Sequence, residues 1–123
     1  MPAAGLACEQ FLHGAWAALE PDDVVFLIAP PGPSNARCRD VARVAAEIGA
    51  PVVALVAEGD REIAPLAAET IALPPVPELL SPLVAVVPLQ LLTYHLAVKA
   101  GANPDTMRAE QAAHGRARAA LGS

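Results

Sequence analysis

The sequence predicts an α/β domain. About three parallel strands form part of a doubly wound sheet, followed by a long apolar helix and a helical C-terminal tail. Three observations point to this. Three short apolar runs are continuous rather than alternating, which suits parallel strands covered on both faces. An amphipathic helical segment separates the first two. A long apolar run then begins at Leu83 and ends at Val98.

The first strand is expected over Val24–Ala29, after Pro21-Asp22-Asp23 and before Pro30-Pro31-Gly32-Pro33. Ser34 or Asn35 can cap the helix that follows, and Gly49 can close it. Val41, Val44, Ala45 and Ile48 share one face of that helix. Arg37, Arg39, Asp40, Arg43 and Glu47 fall mostly elsewhere and read as solvent charges. The second strand is expected over Val52–Val56, completing a right-handed βαβ unit. A short crossover helix over Arg61–Ala68 then leads to a third strand over Thr70–Leu73, despite Pro65. Asp60-Arg61-Glu62 reads as a solvated turn.

Ser81-Pro82 marks the start of the long apolar helix, with Gly101 as its stop. Pro88 inside it is expected to kink or split it. The apolar stretch is shorter than the roughly 18–20 residues of a spanning helix, and it carries Pro88, Gln90, Thr93 and His95. The expectation is a buried helix or a subunit interface and no membrane span, with Tyr94-His95 as a core pair. Thr106–Leu121 is expected to be helical. No internal repeat or flexible linker is visible, so 1–123 reads as one domain.

Composition narrows the partners. Hydrophobic residues make up 54% of the 123 and charged residues 17%, a globular balance with enough apolar material for a core. Net charge is −5 and no basic run exceeds two adjacent positions, which argues against nucleic acid. Cys8 and Cys38 make no disulfide framework, which points to a reduced, cytoplasmic setting. His13, His95 and His114 share no metal spacing with each other or with the cysteines, so no metal and no cofactor are expected. Cys8 lacks an assigned orienting group and is not expected to act as a catalytic nucleophile.

Two motifs bear on function. Glu9-Gln10-Phe11-Leu12-His13-Gly14 puts a carboxylate four residues before an imidazole, with a glycine that lets the backbone turn sharply behind the ring. Pro88-Leu89-Gln90-Leu91-Leu92-Thr93-Tyr94-His95-Leu96-Ala97 follows far downstream, with Gly101 and Asp105 after it. In this order and separation they resemble the sugar isomerase (SIS) domain family. The resemblance is to the C-terminal part of the second SIS domain in the isomerase module of glucosamine-6-phosphate synthase, and to related phosphosugar isomerases and deaminases.

The resemblance implies a flavodoxin-like three-layer fold that is N-terminally incomplete. Residues 1–20 would carry the His-Gly segment, 21–101 the α/β body and 102–123 the tail. It implies isomerisation or deamination of a phosphorylated sugar or amino sugar, with His13 and Glu9 as catalytic residues. In the family the matching histidine reaches into the partner subunit's site and is proposed to help open the sugar ring. A His suits that task because it titrates near neutrality. Gly14 is a candidate substrate-binding position. So is Ser34, weakly, at a helix start where an anion could sit. Ala15 and Trp16 stand where the family has a proline after His-Gly. The family's proton-shuttling glutamate and phosphate loop have no counterpart, and Ala112 takes the place of the aminotransferase's closing lysine. A second polypeptide or a homo-oligomer mate would then complete the site. The alternative is a non-catalytic SIS-like module for sugar-phosphate binding, regulation or scaffolding.

Overall fold

The computed structural model describes residues 3–106 and 108–121. Its elements run α1 (Cys8–Leu12), β1 (Val25–Ala29), α2 (Asn35–Ile48), β2 (Val52–Ala57), β3 (Glu69–Leu73), α3 (Ser81–Lys99) and α4 (Ala112–Ala120). Single 3-10 turns occupy Ala15–Ala18, Ala64–Leu66 and Glu78–Leu80. The chain divides into two compact units, Met1–Ala85 and Val86–Ser123.

In the first unit the strands form a parallel sheet in the order β1-β2-β3. Val25 pairs with Val52 and Val53 with Glu69. Val52, Ala54 and Val56 of β2 pack on one face with Leu27, Ala29, Cys38, Val41, Ala42 and Ala45. Leu55 points the other way, into a smaller cluster with Leu73 and Ala85, and Phe26 packs against it. The two-sided cover foreseen from the continuous apolar runs therefore holds for β2. It fails for β3, whose residues are exposed except Leu73. β3 and β1 are the two edge strands of this sheet, and β1 keeps Leu27 and Ala29 buried.

The α2 helix starts and stops where the sequence placed it. Gly49 adopts φ 90°, the left-handed cap conformation that glycine takes at no steric cost. Its N–H reaches the carbonyls of Ala45 and Ala46, both at 3.1 Å. Ser34 stands at the N-cap as expected, but its side chain makes no capping bond. Asn35 Nδ2 donates instead to the Pro30 carbonyl at 3.5 Å. Cys38 and Ala42 belong to the buried face along with Val41 and Ala45.

The crossover helix over Arg61–Ala68 is absent; only the turn Ala64–Leu66 forms. Asp60 caps the turn in its place. Its Oδ1 accepts from the N–H groups of Glu62, Ile63 and Ala64 at 3.2, 2.8 and 2.9 Å. Pro65 then offers no donor to continue a helix. The turn buries Ile63 completely, and Asp60 is thus a structural anchor rather than a solvated charge.

The α3 helix is continuous through Pro88, so the expected split does not occur. Burial was also expected, yet only Ser81 and Ala85 are buried, and Leu83, Leu91 and Val98 are more than half exposed. Tyr94 and His95 are both exposed, their rings edge-to-face at 5.4 Å, so they form no core pair. The helix with its preceding turn spans 22 residues from Glu78 to Lys99, long and apolar enough by composition to cross a bilayer. The expectation that it is too short for a span is therefore corrected: its length permits one.

In the second unit, Gly101 closes α3 with φ 72°, and Ala102 N–H reaches the Ala97 carbonyl at 2.9 Å. The tail is helical only from Ala112, not from Thr106. Arg108 at φ 63° interrupts any earlier helix. Turn contacts replace it: Thr106 Oγ1 donates to Glu110 Oε2 at 2.6 Å, and Arg118 Nη1 donates to the Thr106 carbonyl at 3.3 Å.

Candidate functional site

The site grows from α1. Five residues are too few for a stable isolated helix, so tertiary anchors hold it. Cys8, Phe11 and Leu12 pack half-buried against the core face of α2. Gln10 Oε1 accepts the Ala7 N–H at 2.9 Å at the helix start. The opposite face turns Glu9 and His13 outward, one helical turn apart.

His13 ends the helix, its N–H bonded to the Glu9 carbonyl at 2.9 Å. Gly14 follows at φ 149° and ψ −33°, a backbone state that side chains disfavour. The chain reverses there into the Ala15–Ala18 turn. The glycine thus does what its place in the sequence suggests: it lets the chain leave at once and keeps the His ring uncovered. The His13 side chain is 77% exposed.

Glu9 connects His13 to α2. Its Oε2 lies 3.2 Å from His13 Nε2. Arg37 grips the same carboxylate with two bonds, Nε to Oε1 at 2.6 Å and Nη2 to Oε2 at 2.9 Å. Arg37 Nη1 also donates to Asp40 Oδ2 at 2.9 Å. The hydrogen bond from Arg37, ahead of its charge and that of His13, holds the Glu9 carboxyl below the usual carboxylate range. Arg37, Glu9 and His13 thus form one exposed run of contacts in which His13 Nε2 faces the carboxylate. An ionised Glu9 favours the tautomer with the proton on Nε2, which makes Nδ1 a proton acceptor.

Of the residues singled out by sequence, Glu9, His13 and Gly14 come together. Ser34 stands exposed at the start of α2. Two residues earlier, a Cβ on Gly32 would meet Glu78 Oε1 at 2.8 Å. Arg37 is the residue that the sequence reading missed, since it lies 28 positions from Glu9 and looks like any outward helix charge.

A cleft of about 250 Å³ runs beside β1, lined by Leu6, Cys8, Phe11, Val24 and Phe26 among others. Neither Glu9 nor His13 lines it, and Asp23 is its only charged residue. Its apolar walls suit packing rather than a sugar phosphate.

Comparison with known proteins agrees with the motifs. The SIS domain family matches residues 1–100. Glutamine–fructose-6-phosphate aminotransferase [isomerizing] of Thermus thermophilus is 38% identical over 96 residues, covering 78% of this chain and 16% of the relative. The Thermococcus kodakarensis protein of the same name is 40% identical over 107 residues, 86% of this chain and 17% of the relative. A human relative, glutamine–fructose-6-phosphate aminotransferase [isomerizing] 2, is 32% identical over 109 residues, again 16% of its own length. The chain thus spans about a sixth of the curated relatives it matches.

Proposed function

This chain belongs to the SIS domain family, and on that premise we propose that it forms part of a phosphosugar isomerase or deaminase completed by another chain or subunit. The substrate is a phosphorylated ketose or amino sugar, in keeping with the fructose-6-phosphate in the relatives' names. The supporting observation is the relay of Arg37, Glu9 and His13, fixed at its base and open at its tip.

His13 is the proton carrier in this reading. Its Nδ1 takes the anomeric hydroxyl proton and returns a proton to the ring oxygen, which opens the ring. Glu9 holds the imidazole in place, and Arg37 holds the Glu9 carboxylate. Gly14 leaves room for the sugar beside the ring. Proton transfer between the adjacent carbons then proceeds through an enediol-like intermediate, using a base that this chain does not supply. The openness of the site supports completion from outside, because a group 77% exposed does chemistry well only once water is excluded. The partner brings the base and the phosphate loop. The free cysteines fit a cytoplasmic setting.

A second reading has its own support. Ala15 replaces the family's proline. This suits a non-catalytic SIS-like module that scaffolds or regulates. Native mass spectrometry of the complex purified from its source, followed by assay with fructose 6-phosphate, separates the two. A stoichiometric second protein and measurable isomerisation support the split enzyme. An inactive homo-oligomer supports the scaffold.

A further inference from the structure

The two cysteines stand thirty positions apart in sequence, yet their Sγ atoms lie 3.6 Å from each other. Cys8 is the first residue of α1 and Cys38 the fourth of α2. Their surroundings differ. Cys8 is half-buried and lines the cleft beside β1, so a small solute reaches it. Cys38 is only 3% exposed, and its thiol sits 3.7 Å from the Ile28 carbonyl. Burial, ahead of the neighbouring Cys8 thiol, pushes the Cys38 thiol up to about 12.

We propose that Cys8 and Cys38 are a peroxide-oxidisable pair whose intrachain disulfide clamps α1, and with it Glu9 and His13, onto α2. The chemistry assigns the roles. The thiolate of Cys8 attacks one oxygen of hydrogen peroxide; the O–O bond breaks and hydroxide leaves, taking up a proton as water. Cys8 is then a sulfenic acid. The Cys38 sulfur attacks Cys8 Sγ, the S–S bond forms and the S–O bond breaks. The sulfenic hydroxyl departs as water with the proton of Cys38. The two thiols lose two electrons, and peroxide gains them. Cys38 is a poor first nucleophile because burial keeps peroxide from it, and its place 3.6 Å from Cys8 lets it resolve the sulfenic acid as its proton passes to the departing hydroxyl.

The sulfurs need to close from 3.6 Å to about 2.04 Å. The five-residue α1 is the element able to move, since α2 is fixed through Val41, Ala42 and Ala45 in the core. This differs from a structural disulfide: the pair is free as found, and the bond forms on demand. It is independent of which sugar the site takes.

The test treats the 123-residue chain with hydrogen peroxide and maps its peptides without reduction. The expected product has lost two hydrogens and joins the peptides of Cys8 and Cys38, and thiol reductant reverses it. Amide exchange across Cys8–Leu12 slows in the oxidised form. In Cys38→Ser the sulfenic acid on Cys8 persists and is trapped by dimedone; in Cys8→Ser the Cys38 thiol stays unmodified. The proposal is overturned if wild-type Cys8 is oxidised while Cys38 remains a free thiol, if the cross-link is only between chains, or if α1 exchange is unchanged by the bond.

Discussion

Arg37 binds Glu9 through both carboxylate oxygens, at 2.6 and 2.9 Å, and so ties the helix that bears His13 to the helix that anchors the sheet. A bidentate guanidinium fixes direction as well as charge. Removing it frees Glu9 to rotate and leaves His13 without a fixed partner. Arg37→Ala is therefore expected to reduce turnover of the assembled enzyme, by less than loss of His13 itself, with the fold intact. Arg37→Lys, which lacks the fork, recovers only part of that loss. Steady-state rates beside circular dichroism check both.

The same bond sets a pH dependence. Glu9 titrates below its ordinary value because its charged form is the one Arg37 binds. The pairing is complete above the unfolded-chain value of about 4.3. It is lost as pH falls through the lower folded value, not before. A carboxyl NMR titration should place the Glu9 midpoint below that of the same residue in Arg37→Ala. Equal midpoints in the two proteins contradict the relay.

Gly14 holds φ 149° with nothing within 4 Å of a built Cβ, so its constraint is conformational and not spatial. Gly14→Ala should cost about 1–3 kcal/mol, as for other backbone states reserved to glycine. Gly5 is also in open space and has no such φ, so Gly5→Ala is expected to be nearly neutral. Chemical denaturation of the pair separates strain from crowding.

Ile63 is wholly buried under the Asp60 turn, whereas Ile71 on the outer strand is 36% exposed. Ile63→Ala should cost about 2–5 kcal/mol, and Ile71→Ala clearly less. Urea midpoints at constant slope provide the comparison.

The strands and α2 were legible because their signals are local. Val25–Ala29 and Val52–Ala57 are unbroken apolar runs, and Gly49 supplies its own stop. Arg61–Ala68 was read as a longer helix than the single turn Ala64–Leu66 that forms, and Pro65, which has no N–H to donate, is the break inside it. The tail was read as too helical since the positive φ of Arg108 leaves no compositional trace. In the site, the spacing of Glu9 and His13 was visible as one helical turn. Arg37 and the closeness of Cys8 to Cys38 were not, because both arise when α1 docks on α2.

In the proposed function His13 moves the proton in a site finished by another subunit. The direct measurement is turnover of fructose 6-phosphate by the assembled complex carrying His13→Gln, with thermal unfolding recorded alongside. The expected result is a loss of about 10²–10⁴ in kcat with an unchanged unfolding midpoint. A wild-type rate from that complex removes His13 from the mechanism and leaves the scaffold reading in its place.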